Sequence, residues 1–466
     1  MRRRMAAAPG DTWLVITGQL TARTFVETGI LDGLRDALGE RLSVVLLMSE
    51  HGRVTWGDRI GDVRYTSADL LASETGRGRR LLERVDASLD RQLGFYPLAL
   101  RLNRRFGFHE ERMAPGHPLP LLDSSRAGPL PAWGVFDGAM RHWHFSRRRF
   151  VPSTLARRFR DECRALVLTN VQVPRLVPFL SVARHQRRPV IGYVASWDHT
   201  VGKGVISPHL DRYLVQNERM RDDLARYHGV DPVRVVVTGW PQADAFARRR
   251  PRDAYEALLT GYGLEPGAPV VLFAGNTPSN MPHEGAFVAR LLEWVAADGR
   301  GTSLLVRPHP NDTRWRERFA AALDRPRVHV QEPGFADFEA LVTLLHHVDC
   351  VVTNGGTFLL DAVVNDRPSV CVAYDEGAPP GESWARTNLV GEHYVPLMES
   401  GAFRLASSFP EVVAGIEEAL DEPGALAAER RAATSVVVGA VDGHSSSRVV
   451  RAILDGLGAE YARGDA

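Results

Sequence analysis

The chain has 466 residues, 44% hydrophobic and 24% charged, enough for two or three domains with sizeable cores and too apolar for global disorder. The formal net charge of +1 gives no polyelectrolyte character, so a dedicated nucleic-acid binder is not expected. Three widely spaced cysteines, Cys163, Cys350 and Cys371, exclude a disulfide scaffold, fit a reducing compartment and show no zinc-ligand spacing.

From the amino end, Met-Arg-Arg-Arg-Met-Ala-Ala-Ala is basic but lacks the apolar core of a secretory signal. No later run is long enough to span a membrane, so a cytoplasmic protein is expected. Residues 13–17 read as a strand, followed by a helical pattern over 23–38 and a second strand at 42–48. The rhythm then fails between about 97 and 160, which is rich in Arg, Pro and aromatic residues. Its last part, residues 141–160, interleaves seven arginines with Trp143, Phe145, Phe150 and Phe159. Such a surface could rest on anionic lipid as a peripheral contact. It could equally be a solvated helix face with aromatic residues in the core.

Strands are expected next at 165–169, 189–195, 212–215 and 234–238. After the second of these comes Ala195-Ser-Trp-Asp-His-Thr-Val-Gly-Lys-Gly, which brings a carboxylate, an imidazole and the only lysine of the chain into one loop. Asp198 or His199 could take a proton from an acceptor hydroxyl. Lys203 could neutralise phosphate, and Trp197 could face an acceptor. The run Val235-Val-Val-Thr-Gly-Trp-Pro-Gln-Ala-Asp suits a sharp crossing between domains. Residues 245–268 read as an interdomain linker, dividing an acceptor domain over 1–244 from a donor domain over 269–466.

The second half repeats the rhythm, with strands expected at 269–274, 303–306, 328–331, 349–353 and 369–373. Near-continuous apolar strands alternating with helices imply parallel sheets covered on both faces. Ligands of such sheets lie beyond the carboxyl ends of the strands, which puts the expected site in the cleft between the halves. Ala274-Gly-Asn-Thr follows the first strand of this half, and Asn276 and Thr277 could meet a phosphate. Arg307-Pro-His-Pro follows the second. Arg307 could grip phosphate at two points, and His309 could donate to a diphosphate or act as an acid for the leaving group. The run Asp349-Cys-Val-Val-Thr-Asn-Gly-Gly-Thr-Phe-Leu-Leu-Asp reads as strand, turn and helix. Thr353, Asn354, Gly355, Gly356 and Thr357 with the helix amino end form a candidate phosphate cradle. Asp361, one turn on from Thr357, could accept from ribose hydroxyls. Asp442-Gly-His-Ser-Ser-Ser-Arg opens a last helix that could cross back to the first half, capped by Asp442 or a serine.

Taken together, Arg307-Pro-His-Pro, the 353–362 loop and helix, Val237-Thr-Gly-Trp-Pro-Gln-Ala-Asp and the 442–448 segment resemble GT-B-fold transferases. The layout is similar to CDP-glycerol glycerophosphotransferase-like proteins and to bacterial surface-polysaccharide glycosyltransferases. The resemblance covers about residues 160–455. It implies two doubly wound Rossmann-type domains facing across a cleft, an α/β fold. It implies a nucleotide-activated donor held mainly by the second domain and a hydroxyl acceptor, lipid-linked ones included, held mainly by the first, with no metal or cofactor. It gives His309 a contact with donor phosphate, makes the 353–357 loop phosphate-binding and makes Asp361 the ribose-binding carboxylate. Glycerophosphotransferases usually carry Trp-His-Gly-Thr-Pro-Leu-Lys with histidine as base. Here Trp197-Asp-His-Thr-Val-Gly-Lys puts Asp198 at that place, and Asn354-Gly-Gly-Thr replaces a paired-serine loop. Both differences favour sugar transfer, with Asp198 as base and His199 second. The resemblance to UDP-sugar 2-epimerases is more distant, because their Arg-Pro-Glu segment is missing.

Overall fold

The structure is a computed structural model that describes residues 11–71, 81, 145, 150–202, 206–335, 337–380, 382–389 and 391–458. The chain divides into two compact units. One holds the described residues up to Asp244 together with those from His444 onward; the other is Ala245–Gly443.

The first unit is built on seven strands: β1 (Asp11–Ile16), β2 (Leu42–Leu46), β3 (Val63–Thr66), β4 (Cys163–Leu168), β5 (Val190–Tyr193), β6 (Arg212–Val215) and β7 (Val235–Val237). Their order is β3-β2-β1-β4-β5-β6-β7, and every pairing is parallel. Strand β1 is apolar at almost every position because helices cover both faces, burying Trp13, Leu14, Val15 and Ile16 completely. The order reverses between β1 and β4, the kind of switch point at which such sheets bind ligands beyond the strand ends.

The second unit repeats the plan with six parallel strands: β8 (Val270–Ala274), β9 (Ser303–Arg307), β10 (Val328–Val330), β11 (Cys350–Thr353), β12 (Ser369–Val372) and β13 (Arg404–Ala406). The order β10-β9-β8-β11-β12-β13 places the reversal between β8 and β11. Two strands lack a sequence signal. Strands β3 and β13 have four and three residues, lie at sheet edges, and carry exposed positions such as Leu405. Val63-Arg-Tyr-Thr and Arg404-Leu-Ala are poorer in valine than Val-Val-Val and Val-His-Val, which mark the similarly short edge strands β7 and β10.

The 245–268 segment, read as a linker, carries the helix Arg252–Gly261 and clusters with the second unit. Tyr255 and Leu259 are buried, and the helix packs on Phe338–His347. Arg250 strengthens the junction: its backbone N–H donates to His346 Nδ1 at 2.8 Å and its guanidinium pairs with Glu339.

The last helix, Ser445–Leu457, belongs to the first unit. Its cap is neither Asp442 nor a serine. The carboxylate of Asp244 accepts from the N–H groups of Ser445 at 2.9 Å and Ser446 at 2.7 Å. A carboxylate at a helix amino end meets both the unpaired N–H groups and the dipole. Gly239 explains the Thr-Gly-Trp run. Its φ is +87°, and a Cβ there would lie 2.4 Å from Ser445 Oγ. The close approach lets Arg448 Nε donate to the Thr238 carbonyl at 2.8 Å.

Most of the 97–160 excursion lies outside the described residues, including nearly all of 141–149. Within the rest, Arg158 pairs with Glu162 at 2.9 Å, Arg160 with Asp161 at 3.0 Å, and Phe159 is a core residue against Trp13. No helix among the described residues is long and apolar enough to cross a membrane. The three cysteines are free and buried.

Candidate functional site: a donor-binding crevice in the second unit

Three neighbouring strands, β9, β8 and β11, end side by side at the reversal of the second sheet. Their carboxyl-end loops are Arg307-Pro-His, Gly275-Asn-Thr and Asn354-Gly-Gly-Thr, so the topology brings together three segments singled out in the sequence.

The β11 loop is braced from inside. Thr353 Oγ1 donates to the Ala274 carbonyl at 2.8 Å, joining the ends of β11 and β8. Asn354, 2% exposed, donates through Nδ2 to the carbonyls of Val372 at 2.6 Å and Ala385 at 3.0 Å. Its Oδ1 accepts from Asn388 Nδ2 at 2.7 Å, and Asn388 also donates to the Asn280 carbonyl at 3.1 Å. Thr353 and Asn354, expected to meet phosphate with their side chains, therefore spend them on the protein and act as positioning residues. Gly355 and Gly356 turn the chain with φ of +66° and +71°. The Gly356 N–H donates to Tyr394 Oη. Thr357 opens the helix Gly356–Val364, is half-buried, and its hydroxyl makes no hydrogen bond among the described residues. Helix N–H groups with an uncommitted hydroxyl and no Cβ bulk suit an anion.

Arg307 is 9% exposed, and its Nη1 donates to Gln331 Oε1 at 2.8 Å. Gln331 Nε2 in turn donates to Tyr262 Oη at 2.6 Å, and the Tyr262 ring stacks on His329 with centroids 4.3 Å apart. Burial lowers the guanidinium below its ordinary range; the charges of Asp337, Tyr262 and Asp361 oppose the shift. Asp361 is itself 4% exposed, so this carboxylate acts electrostatically on Arg307.

His309 Nδ1 accepts the Asn311 N–H at 3.1 Å. Burial pushes its pKa down to about 4. The ring is neutral at neutral pH, and the bond at Nδ1 assigns the proton to Nε2. His309 thus presents an N–H donor.

A buried cluster that no local motif signals ties the β8 and β9 loops together. Glu284 Oε1 accepts the Asn276 N–H at 2.7 Å, and Oε2 pairs with Arg318 at 2.9 Å. Arg318 also pairs with Asp312, whose N–H donates to the His309 carbonyl at 2.8 Å. Asn276 Nδ2 donates to the Asn354 carbonyl at 3.2 Å, while Asn276 Oδ1 accepts the Thr277 N–H at 2.8 Å. Thr277 Oγ1 sits 3.2 Å from Ser279 Oγ. Asn276 and Thr277 are parts of this scaffold. Asn388 and Tyr394 escape a reading of the sequence because they lie 34 and 38 residues from the loop positions they hold, and Glu284 and Arg318 because they pair across 34 residues.

In the first unit the loop after β5 holds the other predicted group. Ser196 Oγ donates to Asp198 Oδ1 at 2.5 Å, and Asp198 and His199 are half-buried. The His199 carbonyl accepts from Gln172 Nε2 at 2.7 Å, joining this loop to the one after β4. Thr200 Oγ1 donates to Asp223 at 2.9 Å, and its carbonyl meets His228 Nε2 at 2.7 Å. Trp197, expected at an acceptor, is 6% exposed and serves as a packing anchor. Lys203 lies outside the described residues.

The fold is shared with known proteins. UDP-GlcNAc 2-epimerase from Neisseria meningitidis superposes with a TM-score of 0.53 at 11% identity, covering 96% of this chain and 100% of that one. The Methanocaldococcus jannaschii UDP-GlcNAc 2-epimerase gives 0.53 at 12%, covering 96% and 99%. A wall teichoic acid polymerase, TagF, gives 0.45 at 14%, covering 65% and 74%. The likeness to the two epimerases makes the α/β fold GT-B-like. No curated protein matches the sequence. A family model, CDP-glycerol:poly(glycerophosphate) glycerophosphotransferase, matches residues 202–455, more than half of the chain, with all of Ala245–Gly443 and most of the last helix. The chain is therefore a member of the CDP-glycerol:poly(glycerophosphate) glycerophosphotransferase family, with a nucleotide-activated transferase architecture.

Proposed function

We propose that this protein transfers a phosphoalcohol from a CDP-linked donor to a hydroxyl acceptor. The family match over the unit that holds the crevice carries this reading. The acceptor oxygen attacks the distal phosphorus, the bond to the bridging oxygen breaks, and CMP leaves. Arg307 and the His309 Nε2–H stabilise the charge that develops on the phosphates, a term that is often the largest in catalysis. The Gly356 helix end and Thr357 hold the diphosphate, and Asp361 accepts from the ribose. Asp198 takes the acceptor proton, with His199 as the second candidate.

A second reading, sugar transfer from a nucleotide-sugar donor, is favoured by Asp198 standing where the family usually has histidine. Its chemistry differs: the acceptor attacks the anomeric carbon and a nucleoside diphosphate leaves. A donor-binding protein without turnover is the third outcome of one experiment. CDP-glycerol, UDP-sugars and GDP-sugars are offered to the protein with release of CMP or of nucleoside diphosphate as readout. CMP release abolished in Asp198→Ala supports the first reading, and nucleoside diphosphate release supports the second. Thermal stabilisation by a nucleotide without release of either overturns both.

A further inference from the structure

A groove of about 350 Å3 opens at the amino ends of β5 and β6, the end of the sheet opposite the Asp198 loop. It lies between the helix Val177–His185, the turn that follows it, and the segment leading into β6. Three arginines line it: Arg184, Arg187 and Arg188. Arg184 donates to the Phe145 carbonyl at 3.1 Å. Arg187 and Arg188 make no side-chain hydrogen bond or ion pair among the described residues. Arg188 Nε is shielded from solvent and has no acceptor. Arginines that line a groove without a side-chain partner keep their terminal guanidinium N–H groups for solvent or for a ligand oxygen. One carboxylate reaches the groove, Asp211, and its Oδ2 is engaged by the Val190 N–H at 2.8 Å. His209 adds a further nitrogen, and Leu180 stands in the apolar part of the wall.

We propose that this groove is an anion site for a phosphate ester. The arginines take the phosphate oxygens in fork geometry, and the apolar wall takes the organic body that carries them. The volume exceeds what bare phosphate fills, and three arginines against the single Asp211 carboxylate leave the wall positive, which favours an anion. The site concerns the first unit and does not depend on which group the second unit transfers. The same phosphate ester chemistry comes from a soluble polyol phosphate or from a phospholipid headgroup.

The test uses the full chain with two probes: glycerol 3-phosphate followed by calorimetry, and sedimentation with phosphatidylcholine vesicles with and without phosphatidylglycerol. Arg187 sits at φ +54°, where glycine is favoured, so Arg187→Gly removes the charge without harming the fold. Arg187→Gly should weaken binding about fivefold, and adding Arg188→Gln should bring the loss to about 30-fold. Arg188→Lys keeps the charge but loses the fork, and should fall between the wild type and Arg188→Gln. Binding of glycerol 3-phosphate identifies the soluble ester. Binding confined to phosphatidylglycerol vesicles identifies the headgroup. Absence of binding to both probes, or binding unchanged in Arg187→Gly/Arg188→Gln, overturns the proposal.

Discussion

Asn354 is the residue that braces the loop after β11. Its amide makes three hydrogen bonds in a site where water does not reach, and each partner is itself buried. Asn354→Ala removes the side-chain donor to the Val372 and Ala385 carbonyls and unpairs one N–H of the Asn388 amide, whose other bond to the Asn280 carbonyl stays. At about 1–3 kcal/mol for each buried orphan, partly relaxed, the expected loss is about 2–4 kcal/mol. A denaturant titration checks it, and a midpoint within error of the wild type would mean that the clamp carries no weight. His309 makes a second prediction, through pH. Its folded pKa of about 4 lies below the ordinary imidazole value near 6.5. Between those values the unfolded chain binds the proton and the folded chain does not, so stability rises with pH across that window and is lost as pH falls. His346, lowered to about 4 by burial, adds to the same slope. Unfolding midpoints near pH 5 and pH 7 should differ less in His309→Asn than in the wild type; equal differences would show a solvated ring. A strand end marks Arg307 and His309 locally as candidates. The bonds of Thr353 and Asn354 were not legible, because nothing local in a sequence says that a polar side chain will be consumed by distant carbonyls.

The strand–turn–helix element from Cys350 to Val364 shows why two adjacent glycines are not equivalent. Gly355 has φ +66° and ψ −139°, a region that side chains avoid, and a Cβ there would lie 2.7 Å from Leu389 Cδ2 and 3.0 Å from Tyr394 Oη. Gly356 has φ +71° but open space around it. Gly355→Ala therefore combines backbone strain with overpacking, about 2–4 kcal/mol. Gly356→Ala carries the strain alone, about 1–2 kcal/mol. Thermal melts of the two variants should rank in that order, and the reverse order would mean that Leu389 and Tyr394 yield freely. The sequence shows that this turn needs small residues, since two glycines follow a buried strand. It does not show which one faces a wall, because Leu389 and Tyr394 arrive from beyond β12. The missed edge strands β3 and β13 are likewise fixed by their neighbours, since they are poorer in the valines that mark the edge strands β7 and β10.

At the scale of the molecule, the two doubly wound sheets were legible because a strand buried on both faces must be apolar throughout, and nearly all central strands have that composition. The path of the chain between the units was less so. The expected linker became a docked helix, and the first unit closes only with residues from the far end of the chain. That closure makes a strong prediction. The helix Ser445–Leu457 buries Val449, Ala452, Ile453 and Leu457 in the first unit and packs on the helix Ile30–Leu38 and on β6. Burying a large aliphatic side chain contributes about 1.5–3 kcal/mol, which sets the loss on deletion well above the effect of most single substitutions. A chain ending at Gly443 would also leave the Asp244 carboxylate without the N–H groups it caps. Hydrogen exchange should then show protection lost across β5, β6 and Ile30–Leu38, with the strands β8, β9 and β11 unchanged. Loss of protection in the second sheet instead would mean that the last helix stabilises a unit it is not part of, and the assignment of residues 444–458 to the first unit would fall.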